Sequence, residues 1–149
     1  MTIQEIPFEA LDPPSFIDEQ CRRIAQEVGD ARAVNALSGG VDSSVTTLLA
    51  HRALGPRLLT YFIDNGLMRE GEPAAVVAAM QRLGVPMTLV DARREFFAAL
   101  AGKTDPEEKR QAITDTFYKT VFGRLVRESG APFLLQGTIY TDVEETVAG

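Results

Sequence analysis

Leu37-Ser38-Gly39-Gly40-Val41-Asp42-Ser43-Ser44 joins a short apolar run, Ala33 to Leu37, to a stretch from Val41 to Leu54 that is apolar at Val45, Leu48, Leu49 and Leu54. The run reads as a buried strand, and the stretch, closed by Gly55-Pro56, as a helix. Gly39 and Gly40 let the backbone turn tightly and approach a ligand with no Cβ in the way. Ser38 and Ser43 add hydroxyl donors. The first-turn amides of the helix point at the same spot, favoured by the positive end of its dipole. The segment therefore reads as an anion cradle. A serine N-cap after a glycine turn explains Ser38 or one glycine, but leaves Asp42 and two further serines without a reason. The loop holds no lysine, so the cation balancing a triply charged group is expected to be Mg²⁺, with Asp42 as the carboxylate that reaches it.

Outward from this loop the pattern repeats. Ser15 to Val28 reads as a helix with Phe16, Ile17, Ile24 and Val28 on one side, and Leu58 to Ile63 as a second strand ending in Asp64-Asn65-Gly66. Pro73 to Leu83 is a third helix, with proline in its first turn, and Val85 to Val90 a third strand. Asp105-Pro106-Glu107-Glu108 opens a long helix whose Ile113, Phe117, Val121, Phe122 and Leu125 share a face, ended by Gly130. Pro132 to Leu135 is the fourth strand. Alternating strands and helices predict an α/β fold: an open parallel sheet with helices on both faces, Rossmann-like, in the order 3-2-1-4. Ligands of such sheets bind outside the carboxyl ends of the strands. That rule nominates Ser38 to Ser44, Asp64 to Glu72 and Gln136 to Asp142.

The 149 residues predict one domain, 15–149, after an N-terminal extension, 1–14, containing Pro7, Pro13 and Pro14. At this length roughly 68–70% of the unfolded surface is hidden on folding, so a core forms without staples. One cysteine, Cys21, and one histidine, His51, are too few for an internal disulfide or a zinc site. They fit a reducing cytoplasm. No apolar run is long enough for a membrane span and the N-terminus lacks a signal-peptide pattern, so neither membrane nor export is expected. A net charge of −6 is the wrong sign for a nucleic-acid binder.

Other residues carry milder readings. Gly102-Lys103-Thr104 lacks the leading glycine and preceding strand of a Walker A motif and reads as a loop. Cys21 reads as a packed helix residue, His51 as a complement to a helix C-terminus, and Arg93 and Arg94 as a solvated pair or a phosphate contact. Phe96, Phe97 and Phe117 read as core.

Ser38-Gly39-Gly40-Val41-Asp42-Ser43 resembles the pyrophosphate-binding loop of the N-type ATP pyrophosphatases. With Ile63 to Arg69, Gly71-Glu72, Thr104 to Arg110, Asp115-Thr116-Phe117 and Gln136-Gly137-Thr138, the chain is similar to the synthetase domain of the GMP synthetases from about Phe16 to Glu145. The resemblance implies attack on the α-phosphorus of ATP by O2 of xanthosine monophosphate (XMP), release of pyrophosphate, and displacement of AMP by ammonia to give GMP. It implies that Ser38, Gly39, Gly40, Val41, Asp42, Ser43 and Ser44 hold ATP and its pyrophosphate, with Ile63 and Gly137 near the adenosine and AMP. It further implies catalytic roles for Asp42 and Ser43, a magnesium site at Asp42 and Asp142, and an acceptor-nucleotide role for Arg69. It raises Lys109 and Arg110 above ordinary surface ion pairing. Thr114, Thr141 and Glu144 depart from the family pattern, where glycine, proline and an aliphatic residue are usual. The family's lysine–histidine segment, dimerisation domain and glutaminase are absent from the 149 residues. A glutaminase or C-terminal-domain partner subunit is therefore expected, with a homodimer left open. Two other readings stay open: a nucleotide-binding module without turnover, and an adenylating enzyme with a different acceptor.

Overall fold

A computed structural model describes residues 7–137. The elements are α1 (Pro13–Val28), β1 (Ala33–Leu37), α2 (Val41–Leu54), β2 (Leu58–Asp64), α3 (Glu72–Arg82), β3 (Thr88–Asp91), α4 (Arg93–Leu100), α5 (Pro106–Asp115), α6 (Gly123–Ser129) and β4 (Phe133–Leu135), with a π-helical segment, Thr116–Phe122, between α5 and α6. The four strands form one parallel sheet in the order β3-β2-β1-β4, as expected. β1 lies in the middle, with Leu37 beside Phe62 of β2 and Ala33 beside Phe133 of β4.

Side chains of a strand alternate between faces, so a central strand serves two cores. Ala33 and Leu58 pack with Val28, Ala50 and Leu54 of α1 and α2. Leu37 and Phe62 continue that face against Met80 of α3 and Val85. Val34 and Ile63 look the other way, into a cluster with Phe96 of α4, Val121 and Phe122 of the π segment, and Leu125 of α6. Helices therefore cover both faces.

Several boundaries and faces differ from expectation. α1 starts at Pro13, two residues before Ser15, and the residue before its first turn is Asp12. Phe16 is exposed. The buried positions of α2 are Thr47, Ala50 and Leu54, and Val45 is 49% exposed. β3 begins at Thr88 because the Val85 amide turns back to the Met80 carbonyl and the Val85 side chain is buried beside α3. Phe96 is core, whereas Phe97 is exposed and lies over the Asp64–Gly66 turn, where a Cβ on Gly66 would meet its ring at 2.6 Å. Asp105 caps α5 as expected, accepting from the amides of Glu107 and Glu108 at 2.9 and 3.0 Å.

The long final helix is interrupted. Val121, Phe122 and Leu125 are buried as the α-helical spacing predicts, but the π segment adds a wider turn between Asp115 and Gly123. It closes where the Gly123 amide donates to the Tyr118 carbonyl, five residues back. A Cβ on Gly123 would lie 2.8 Å from that same oxygen, so only glycine fits there without a shift. Alanine is the better helix former by about 1 kcal/mol, yet Gly123→Ala is expected to lower stability by about 1–3 kcal/mol through this clash. Equilibrium urea denaturation reads the sign, and a stabilised variant would contradict the contact.

A candidate anion-binding site

β1 delivers the chain to the sheet edge at Leu37, buried at 2% exposure, and the loop begins immediately beyond it. Gly39 has φ +87°, a conformation that side-chain-bearing residues rarely adopt, and a Cβ there would stand 3.0 Å from Val76 Cγ2 of α3. Gly40 is ordinary in backbone, with φ −74°, and a Cβ on it would meet only Ser38 Oγ at 3.5 Å. The tight turn thus needs Gly39 far more than Gly40.

Hydroxyls organise the loop from inside. Ser43 Oγ donates to the Gly40 carbonyl at 3.1 Å, so Ser38 Oγ donates to Ser43 Oγ at 2.8 Å. The Ser38 amide donates to Ser43 Oγ at 3.2 Å, and the Gly40 amide to Ser38 Oγ at 3.3 Å. Ser44 Oγ and the Ser44 amide both donate to the Gly40 carbonyl. The Ser38 and Ser43 hydroxyls, expected as donors to a ligand, bond to groups within the loop. The amides of Ser38 and Gly40 are also engaged. The amides of Gly39, Val41, Asp42 and Ser43 take no acceptor among the described residues. Three of these are the first amides of α2, which no helix can satisfy internally. The cradle is four N–H groups at a helix N-terminus, a site suited to an anion.

A buried polar chain supports it from below. Thr60 of β2 donates to Asn35 Oδ1 at 2.8 Å, Asn35 Nδ2 donates to Thr47 Oγ1 at 2.6 Å, and Thr47 Oγ1 donates to the Ser43 carbonyl at 2.7 Å. The run Ala33 to Leu37 reads as uniformly apolar apart from Asn35, and that one polar residue was the available signal.

Beside the loop lies a cavity of about 160 Å³, lined by Ser38 and Ser43, by Phe117 and Tyr118, and by Leu135 and Gly137. The π segment brings Phe117 and Tyr118, adjacent in sequence, to the same wall, with ring centroids 4.9 Å apart in an edge-to-face arrangement. Gly137 lies against α2: a Cβ on it would be 2.7 Å from Thr46 Oγ1 and 3.1 Å from the Asp42 carbonyl.

The other expected residues fall in different places. The Asp42 side chain is exposed in the first turn of α2, while Asp142 lies outside the described residues, as do Thr138, Thr141 and Glu144. Ile63 is 3% exposed within the core, so its side chain is closed to a ligand and only its main chain is on offer. Arg69 is exposed on the turn leading to α3, its amide held by the Glu72 carboxylate at 3.0 Å, and it does not line the cavity. Arg93 is already paired, donating from Nε to Asp91 at 2.8 Å, with Asp64 at 4.0 Å. Arg110 pairs with Glu107 at 2.9 Å, and Lys109 is exposed. Cys21 is half-buried against the Leu49 carbonyl, His51 lies in the last turn of α2, and Lys103 follows a turn at Gly102. No group of three or more His, Cys, Asp or Glu suited to a metal occurs among the described residues, and no helix among them is long and apolar enough to cross a membrane.

The NAD synthase family model matches residues 16–121, and the chain belongs to that family. It is 48% identical to one of the subunits of the glutamine-hydrolyzing GMP synthase of Archaeoglobus fulgidus over 139 residues, 93% of this chain and 45% of that protein. The corresponding GMP synthase subunit from Methanoregula boonei is 50% identical over 90% of this chain and 43% of its own length. The chain thus spans less than half of these relatives. In three dimensions it is similar to the glutamine-dependent NAD⁺ synthetase of Acinetobacter baumannii, with a TM-score of 0.70 at 15% identity, over 97% of this chain and 29% of that one. The NH₃-dependent NAD synthetase of Campylobacter jejuni gives a TM-score of 0.64, over 78% of this chain and 53% of that one. These two likenesses establish the fold.

The Asp91–Arg93 pair gives a pH test. Hydrogen bonds from the Arg93 side chain and amide hold the Asp91 carboxyl down at about 2. A depressed carboxyl pKa means the link is intact above the usual carboxylate range and is lost as pH falls through about 2. Carboxyl-carbon NMR titration should place the Asp91 midpoint there, and Arg93→Ala should return it toward about 3.9. An unmoved midpoint would refute the pairing.

Proposed function

We propose that this chain is the ATP-binding part of a GMP synthetase, adenylating XMP with release of pyrophosphate before ammonia replaces AMP. The observation that carries this reading is the set of four amides, Gly39 and Val41 to Ser43, at the start of α2 that take no acceptor among the described residues. The names of the relatives, GMP synthases, support a nucleotide acceptor that becomes GMP.

In this reading the four amides receive the β- and γ-phosphates of ATP, and the aromatic cavity beside Ser38 receives its base, near the Ile63 main chain and Gly137. Pyrophosphate gains negative charge as it leaves. Amides already fixed in place stabilise that charge without reorganising, so catalysis is electrostatic and needs no protein nucleophile. The Ser43 and Ser44 side chains act by holding the loop, and the Ser43 amide acts on the phosphate. Mg²⁺ commonly uses only one or two carboxylates together with substrate phosphates, so the single exposed Asp42 fits it, with Asp142 as the second proposed ligand. When bound, the ion neutralises phosphate charge. Arg69, exposed after β2, is left to meet the acceptor nucleotide. Ammonia comes from a glutaminase partner, in the cytoplasm.

Asp42 allows a test by sign. Beside a bare polyphosphate its carboxylate repels, and with the metal it becomes a ligand. Calorimetry on Asp42→Ala should show ATP binding about tenfold weaker with Mg²⁺ and no weaker without it. Gly39→Ala, which disturbs the turn, should weaken binding under both conditions. Pyrophosphate release dependent on XMP, assayed with an added ammonium salt, separates a synthetase from a binding module. Unchanged affinity in both variants would remove the loop from the reading.

A further inference from the structure

We infer that Asn35, Thr47 and Thr60 are positioning residues that set the height and rotation of the α2 N-terminus, and thereby the aim of the four amides; this rests on the proposed nucleotide site. The three residues are 1%, 0% and 3% exposed. They come from three elements, β1, α2 and β2, and no buried side-chain polar atom among the described residues lacks a partner.

The direction of the chain of bonds is fixed by its last acceptor. The Ser43 carbonyl can only accept, so the single hydroxyl proton of Thr47 goes to it at 2.7 Å. Thr47 Oγ1 must then accept, which turns the NH₂ end of Asn35 toward it at 2.6 Å. Asn35 Oδ1 faces β2, and the Thr60 hydroxyl donates to it at 2.8 Å. Each bond leaves one arrangement for the next. A helix held to a sheet by apolar contact alone is free to slide or roll by small amounts, because that attraction has no direction. Hydrogen bonds do have direction, and in a dry interior they are stronger than in water.

The place where the chain ends gives it a function. Ser43 is the third residue of α2, and its own amide is one of the four that face the loop. Asn35 lies two residues before the strand ends at Leu37. The relay therefore ties the strand entering the loop to the helix leaving it. The hydroxyl ring of Ser38 and Ser43 then shapes only the short span between them. Apolar side chains at these three positions would fill the same core space but would leave the register of α2 undirected.

The test compares Thr47→Val, which keeps the side-chain shape and removes the hydroxyl, with Thr47→Ser, which keeps the hydroxyl. Both are measured as full chains, well below their melting temperatures. Two readouts are used: affinity for ATP with Mg²⁺ and for inorganic pyrophosphate, and amide hydrogen exchange at Ser44, whose N–H is held by the Gly40 carbonyl. Thr47→Val should bind both ligands about tenfold more weakly and exchange Ser44 about tenfold faster, with Thr47→Ser close to the parent in both. A Thr47→Val chain that matches the parent in both affinity and exchange overturns the inference, as does Thr47→Ser being as impaired as Thr47→Val. Thr60→Val removes the far end of the relay without touching α2. If Thr47→Val does not fold, this variant decides the matter by the same two readouts. Should the parent bind neither ligand, the nucleotide reading fails, and the exchange data still decide whether the relay holds α2.

Discussion

An α-helix cannot satisfy its own first amides, and in this protein that unmet demand falls at the carboxyl edge of the central strand. Leu37 ends β1 and Val41 begins α2, so only three residues separate the core from the open end of the helix. The brevity of that connection governs the rest. It requires a glycine with positive φ at Gly39, it brings α3 close enough for Val76 to bar a side chain there, and it leaves Ser38 and Ser43 near enough to bond across the turn. A longer connection would shift the helix end away from the place where the strands deliver their carboxyl termini.

Around that junction the sheet divides its work between two faces. One face packs α1, α2 and α3 and is where the loop is anchored. The other carries α4, the π segment and α6, and contributes the aromatic wall of the neighbouring cavity. A polar floor and an apolar side wall suit a ligand with a charged tail and a flat ring, which is the shape of a nucleotide. Neither face alone would offer both. Their meeting at the end of β1 follows from its central position in the order β3-β2-β1-β4.

Much of this was legible in the residues. Four strands, their parallel order and the glycine-serine turn follow from apolar runs punctuated by turn residues, because those signals act over a few neighbouring positions. The cap at Asp105 was equally plain, since it depends on amides two and three residues away. What escaped depends on how the chain packs and on which partner each polar group takes. Whether the Ser38 hydroxyl faces a ligand or Ser43 depends on how the loop closes. Ile63 is apolar and belongs to a strand end, but only the packing of Phe96 and Val121 shows that its side chain is sealed off. Arg93 reads as a solvated cation or a phosphate contact, but its guanidinium is taken by Asp91, two residues earlier, and β2 brings Asp64 to 4.0 Å from it. The π turn left one mark, Gly123, a glycine inside a helical pattern whose reason is a carbonyl five residues earlier.

That turn makes spacing a matter of counting. From Asp115 to Gly123 the backbone winds with an extra residue per turn, so the side chains of α6 face the sheet at an angle offset from the one that unbroken winding out of α5 would give. Composition in this span has some freedom, because Lys119 and Thr120 are exposed. Length has none. Losing or gaining one residue there would swing Leu125 away from Val34 and Ile63 and would also shift the wall that the π segment gives the neighbouring cavity, so core and cavity are tuned by the same arithmetic of the chain.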